Sequence, residues 1–448
     1  MRPHLLYVAF WFPPSRASGV YRALATVQAF VAAGWKVTVL TGSREFLYDE
    51  IGSIDTSLET SIPEGVEVLR VPFTFGLTGR DIDVRSLGWL TANYPHVWTK
   101  LRSETIAMRR YWSVIRGTAP EAYGFRDNYT SWIEPSVQAS RALATRDPLT
   151  HILATGNPFS SFEIARVVAG LTGCSYSVDY RDPWTIDVFT GRSALDQATE
   201  DAEALILAEA AAVFHVNEAI AEAYAAKYPE TAGKHHVVWN GFDPDSIPAS
   251  PHLTGDGPVR FGILGTVNER WPLEPIFEAW PDVRGKLPPG STLVLGGHLG
   301  YFDRSRTLLE YALPDASLGF EYLGPVQKSA VADFYGRLDV IVLPVPGGPM
   351  VTSGKVFEAM AVGIPIVCVQ REDGGARHVL GSHPLAFFAR PDVAEVTEAM
   401  LGAAEAARAL TPATVRSARA TTEAMERSRA LMTMVDHVDE LVDEARSA

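Results

Sequence analysis

The chemistry of this chain is concentrated where glycine, lysine and a carboxylate stand at helical spacing. Thr352-Ser353-Gly354-Lys355 runs straight into a helical pattern over 356–361. A helix N-terminus offers unpaired N–H groups and the positive end of a dipole, which suits a diphosphate. Gly354 permits close backbone approach and Lys355 adds a charge; the alternative use of the same residues is a plain helix cap. This is no Walker motif, because its upstream glycine spacing is absent. Glu358 lies three residues after Lys355 on roughly the same helix face, so it either accepts hydroxyl hydrogen bonds from a ligand or pairs with Lys355. Arg270 ends the string Gly265-Thr266-Val267-Asn268-Glu269-Arg270. A guanidinium there can hold phosphate oxygens through two parallel donors, and an exposed loop arginine is the plainer reading. Arg181 and Asp182 stand at the end of another apolar run. The histidines show no metal-binding spacing, so no metal is assigned, and His215, set in an apolar run, reads as a core histidine.

Positioning these groups requires strands that end beside them. The opening run LLYVAFWF is read as a first strand because Pro13-Pro14 follows it directly, where a signal peptide would need a cleavage site. A helical period follows over 21–33 and a second strand over 36–42. Further strands fit 151–155 and 175–180, with a crossover helix over 159–171 between them. A short strand over 236–239 ends in Asn240-Gly241, a turn signal. A second series of apolar runs begins at 259–265 and continues at 291–297, 320–324, 340–344 and 364–369. Apolar strands alternating with amphipathic helices predict doubly wound parallel sheets, and two series predict two similar domains. The predicted bounds are 1–240 for the first domain, with an insertion at about 43–148, and 259–411 for the second. A hinge over 241–258 and a helical tail over 412–448, packing back on the first domain, complete the scheme.

The 448 residues allow two to three domains, and 47% hydrophobic against 21% charged residues excludes disordered and coiled-coil classes. A formal charge of -14 argues against a global nucleic-acid footprint. Cys174 and Cys368 are the only cysteines, each in a run read as a strand, so no disulfide framework is available and a reducing, cytoplasmic location is expected. The most apolar helical stretch, 202–216, carries Glu203, Glu209 and His215, which argues against a membrane span.

Five strings taken together resemble the GT-B glycosyltransferases, and within them the family-4 retaining enzymes. They are FWFPPSRASGVYRAL at 10–24, ATGNPFSSFEIA at 154–165, VDYRDPWT at 178–185, WNGFD at 239–243 and SGKVFEAMAVGIPIV at 353–367. The resemblance implies two Rossmann-like domains facing a cleft, with a nucleotide-sugar donor on the second and an acceptor on the first. It places donor binding on Gly19, Arg270, Thr352, Ser353, Gly354, Lys355 and Glu358, the last on the nucleotide ribose. It places catalysis on Arg181, Asp182, Arg270 and Lys355. Gly19 corresponds to a first-loop glycine lying against the donor phosphates, with Arg22 starting the next helix. The chain departs from the family pattern at four places: Met350 stands where the first of two paired glutamates belongs, Phe162 and Arg181 replace histidines, and the lysine that should follow Arg270 is missing.

The function implied is metal-independent transfer of a sugar, of hexose type, from a nucleoside diphosphate sugar to an acceptor hydroxyl with retention. The donor is a co-substrate and no cofactor is expected. A non-catalytic GT-B module that binds a nucleotide or a protein partner, and a sugar-nucleotide epimerase, stay open as alternatives. The acceptor is a small molecule, a glycan or a lipid. Residues 97–116 carry five basic residues against Glu104, with Trp98, Leu101, Thr105, Met108, Trp112 and Ile115 at helical spacing. That pattern fits either a helix packed on the first domain or peripheral membrane contact.

Overall fold

The computed structural model describes residues 2–17, 19–47, 54–72, 129, 132–189, 191, 197–267, 270–300, 310 and 313–447. They divide into two units. One comprises Met1–Asp187, Arg192–Val238 and Leu431–Ala448; the other comprises Val188–Gly191 and Trp239–Ala430.

The first unit is built on strands β1 (His4–Val8), β2 (Lys36–Gly42), β3 (Glu67–Val71), β4 (His151–Gly156), β5 (Ser175–Tyr180), β6 (Ala212–His215) and β7 (His235–Val237). They pair in parallel in the order β3-β2-β1-β4-β5-β6-β7. Helices α1 (Val20–Ala32), α2 (Ile133–Arg146), α3 (Ser160–Thr172), α4 (Gln197–Glu209) and α5 (Glu218–Lys227) lie between them in the chain. Every residue of β1 and β4 is buried, as a central parallel strand requires.

The second unit repeats the plan with β8 (Arg260–Leu264), β9 (Thr292–Gly296), β10 (Phe320–Gly324), β11 (Val340–Pro344), β12 (Ile366–Val369) and β13 (Ala386–Ala389). Their parallel order is β10-β9-β8-β11-β12-β13. Helices α6 (Glu274–Gly285), α7 (Val331–Tyr335), α8 (Gly354–Val362), α9 (Gly375–Leu380), α10 (Val393–Arg408) and α11 (Pro412–Ala420) accompany them. In β11, Val340 and Val342 enter one apolar cluster while Ile341 and Leu343 enter another, so both faces of this sheet are covered. The final helix, α12 (Arg427–Ser447), belongs to the first unit from Leu431 onward, where Met434, Val435 and Val438 join the cluster of Val27, Phe30 and Trp35.

The run 202–216 is not one helix. Helix α4 ends at Glu209 and Ala212–His215 is strand β6, whose approach begins with the Ala211 N–H donating to the Tyr176 carbonyl at 2.8 Å. An uninterrupted apolar run reads the same for a buried helix end and a central parallel strand, and no glycine or proline marks the switch. Cys174 precedes β5 rather than lying in it, whereas Cys368 is buried in β12. Within 43–148 the described residues supply β3 and α2, which are parts of the repeating plan, and 241–258 lies wholly in the second unit. Of the tail, Pro412–Ala420 stays with the second unit and only the chain from Leu431 joins the first. The segment 97–116 lies outside the described residues.

Candidate active site

In a doubly wound sheet, ligands bind beyond the carboxyl ends of the strands where the strand order reverses. The reversals fall between β1 and β4 in the first unit and between β8 and β11 in the second. The predicted residues follow the ends of these strands and of β5 beside β4, and each unit presents its own set.

In the first unit, Arg22 lies in the first turn of α1 and is buried inside the unit, 2% exposed, beside the fully buried Asp179 of β5. Its Nε donates to Asp179 Oδ2 at 2.9 Å and its Nη2 to Oδ1 at 2.7 Å, and the Thr155 hydroxyl donates to Oδ2 at 3.1 Å. Burial alone would lower the arginine's pKa, but the carboxylate reverses this and holds it above the usual value. Arg181 follows β5, and its Nε and Nη2 donate to the Gly156 and Asn157 carbonyls, each at 2.6 Å. These bonds tie the β5 end to the β4 end. Gly19 sits against the same guanidinium: a Cβ there would lie 1.4 Å from Arg181 Nη1. The absence of a side chain at 19 is therefore what lets Arg181 reach the β4 carbonyls. Asp182 is exposed, yet surrounding protein atoms displace enough hydration to push its carboxyl upward, against the opposing pull of Arg181.

The turn after Asp182 is held from below by a buried carboxylate that the sequence does not single out for this task. Glu203 of α4, 0% exposed, accepts hydrogen bonds from the hydroxyls of Tyr180 at 3.0 Å, Tyr224 at 2.8 Å and Tyr228 at 2.9 Å, and from Thr185. Tyr224 in turn accepts the Trp184 N–H at 2.8 Å. Phe162 is fully buried, with its ring 4.7 Å from that of Tyr180, and so fills core space with no polar atom to offer. His215 is likewise buried; its Nε2 pairs with His235 Nδ1 at 2.8 Å, while its Nδ1 is without a partner among the described residues.

In the second unit, Ser353 caps α8, its hydroxyl accepting the Lys355 N–H at 3.2 Å. A Cβ on Gly354 would meet nothing within 4 Å, so space lies open beside the first turn. Lys355 Nζ donates to Glu358 Oε2 at 2.6 Å and the Tyr335 hydroxyl donates to the same oxygen at 3.1 Å. Both contacts fall on Oε2. Thr352 and Met350 lie in the loop that leads from β11 to this cap, and Met350 is only 8% exposed. Arg270, after β8, places its guanidinium 4.2 Å from the ring centre of Phe189, a residue of the short Val188–Gly191 stretch that belongs to this unit. Phe189 carries no motif, and nothing in the sequence distinguishes it. Among the described residues no group of three or more His, Cys, Asp or Glu side chains could hold a metal ion, and no helix is long and apolar enough to cross a membrane.

Two parallel, doubly wound units with these strand orders define the GT-B architecture. Residues 258–406 match the family described as glycosyl transferases group 1. No curated protein matches the chain. Among solved structures, sucrose-phosphate synthase from Thermosynechococcus elongatus is similar at a TM-score of 0.64 and 14% identity, over 99% of this chain and 100% of that one. A glycosyltransferase from Rickettsia africae aligns at 0.64 and 10% identity, over 98% and 99% of the two chains. Anabaena HepE, solved in complex with UDP-glucose, aligns at 0.60 and 14%, over 98% and 99%. The chain has the GT-B fold, and its second unit resembles the group 1 glycosyltransferases.

Proposed function

We propose that the protein transfers a sugar from a nucleoside diphosphate sugar to an acceptor hydroxyl with retention of configuration. The observation that carries this reading is the capped, open first turn of α8, at the end of β11 beside the strand-order reversal, within the stretch that matches the glycosyltransferase family. There the α8 amides and Lys355 would hold the donor diphosphate, with Arg270 from the neighbouring strand end adding a second cation. Glu358 Oε1 would accept a ribose hydroxyl while Lys355 and Tyr335 steady Oε2. Thr352 leads the chain into the cap. The complex of Anabaena HepE with UDP-glucose makes UDP-glucose the first donor to try.

In this chemistry the acceptor oxygen attacks the anomeric carbon from the face the diphosphate leaves. The carbon–oxygen bond to the phosphate breaks, the acceptor proton passes to the departing phosphate oxygen, and the products are a glycoside and a nucleoside diphosphate. No protein nucleophile is needed, so the loss of histidine at 162 and 181 does not remove a reacting group. The chain's tasks are orientation and stabilisation of charge on the leaving diphosphate. In the first unit, Arg181 and Asp182 are the groups for the acceptor side, held in place by the Gly156 and Asn157 carbonyls and the Glu203 network.

Calorimetric titration with UDP-, GDP-, ADP- and dTDP-sugars tests the donor, and the anomeric configuration of the product by NMR tests retention. Binding of none of the four donors would overturn the reading, as would an inverted product for the stereochemistry. The apolar, buried side chains at Phe162 and Met350 favour a non-catalytic nucleotide-binding module as the second reading, and any sugar transfer that Lys355→Ala abolishes excludes it.

A further inference from the structure

The loop from β11 to the α8 cap has no strand ladder of its own between Pro346 and Thr352. One side chain reaches it near both ends. Gln370, directly after β12, is 0% exposed. Its Nε2 donates to the Pro346 carbonyl at 2.9 Å and to the Val351 carbonyl at 3.2 Å, while its Oε1 accepts the Ala376 N–H of α9 at 3.1 Å. The primary amide is the one uncharged group that offers two donors and an acceptor in a single plane, and all three are used. The backbone beside it is fitted to the same purpose. A Cβ on Gly374 would lie 2.1 Å from the Gln370 carboxamide carbon, and one on Gly375 would lie 2.6 Å from the Pro349 carbonyl oxygen. The Gly375 N–H also reaches the Gly348 carbonyl at 3.3 Å. Gln370 and the two glycines thus grip both ends and the middle of the loop.

We infer that Gln370 is a positioning residue: it sets the path of residues 346–352 and thereby the aim of the α8 N-terminus at the donor diphosphate. This rests on the donor reading above. It touches no substrate in that scheme and acts only through the loop. Leucine at 370 would remove all three bonds. Glutamate would keep the shape but set oxygen against two carbonyl oxygens, and a buried carboxylate so placed holds its proton above the ordinary range. Once protonated it regains one donor, so the Gln370→Glu defect eases as the pH falls.

The test uses the full-length protein. Hydrogen exchange, corrected for intrinsic rates, is followed for wild type, Gln370→Leu and Gln370→Glu. UDP, GDP, ADP and dTDP are titrated by calorimetry, and the one that binds wild type most tightly serves as the probe. The expected result is at least tenfold faster exchange across 346–356 with the first unit unchanged. Probe affinity should fall at least tenfold in both variants near neutral pH, and recover in Gln370→Glu alone at acidic pH. Unchanged exchange in the loop overturns the inference, and so does faster exchange with wild-type probe affinity or a Gln370→Glu defect that does not vary with pH. Wild-type protein that binds none of the four nucleotides sinks the donor reading, and loop exchange then decides by itself whether Gln370 holds the loop. If Gln370→Leu does not fold, Gln370→Glu carries the same comparison.

Discussion

Asp179 is a charge at the centre of a parallel strand, and such a group is tolerated only because Arg22 and Thr155 satisfy it. Removing one partner strands the other charge in the interior, so Asp179→Ala is expected to lose about 3–5 kcal/mol in urea denaturation. Adding Arg22→Met to that variant should restore a large part of the loss, and a double variant no more stable than the single one would contradict this account. His151 shows the opposite arrangement, a buried ring kept neutral between the hydroxyls of Ser175 at 2.8 Å and Ser177 at 3.0 Å. Desolvation lowers its pKa from 6.5 to about 3. The unfolded chain therefore takes up a proton between those values that the folded chain refuses, so stability is complete above the unfolded pKa and falls as the pH drops through this window. At about pH 5 a single such group costs about 2 kcal/mol. Denaturation of wild type and His151→Gln at neutral pH and at about pH 5 should show that the variant loses less on acidification, and parallel losses would exclude His151 as a source.

At the scale of the element, α8 joins a structural cap to a proposed ligand site, and the two uses separate by measurement. Ser353→Ala removes the hydroxyl that accepts the Lys355 N–H and should cost about 1 kcal/mol of stability. Ser353→Gly restores much of that loss, because glycine is a fair N-cap. If the first turn also holds the donor diphosphate, nucleotide affinity should follow the stability of the turn in this pair, whereas affinity equal in both variants and wild type would leave the serine as a cap only. Much of this element is legible in the sequence: residues 352–355 mark a helix start, and the Lys355–Glu358 spacing offers, as one of two uses of the carboxylate, the pair that forms at 2.6 Å. Tyr335, which donates to the same carboxylate from α7, was not legible, since it comes from another helix and carries no local signal. The same reason hid strand β6. Its four residues, AVFH, continue the apolar character of α4, and only pairing with β5 and β7 made them a strand.

At the scale of the molecule, the helix that begins at Arg427 returns the chain to the first unit, so that unit needs the residues from Leu431 onward as well as those before Trp239. Met434 and Val438 are fully buried there, and the Trp35 indole N–H donates to Asp439 at 2.8 Å. Met434→Ala should cost about 2–5 kcal/mol by the cavity it leaves. Ending the chain at Ala430 would uncover the faces of Val27, Phe30 and Trp35, and the first unit is expected to lose its cooperative unfolding transition, as read by circular dichroism on urea titration. A cooperative transition retained in the shortened chain would show that the helix merely covers a unit that stands without it.

Read from residue order alone, the chain already declared two strand–helix series, the glycine and proline punctuation at strand ends, and the helix start at 353–355, because period and turn chemistry are local properties. It also placed Arg181, Arg270 and Lys355 after the carboxyl ends of strands, since parallel sheets put their loops there. Tertiary structure alone decided what each side chain faces. Arg22 and Asp179 are 157 positions apart and meet only in the folded unit, where a side chain of α1 reaches one of β5. At Gly19 the missing side chain admits Arg181, which follows a strand far along the sequence. Phe189 reaches Arg270, Glu203 gathers tyrosines from a strand and another helix, and Gln370 spans three backbone segments. Hydrogen-bond partners distant in sequence leave no spacing to read, so the groups that hold this candidate site in place became visible only once the sheets had brought them together.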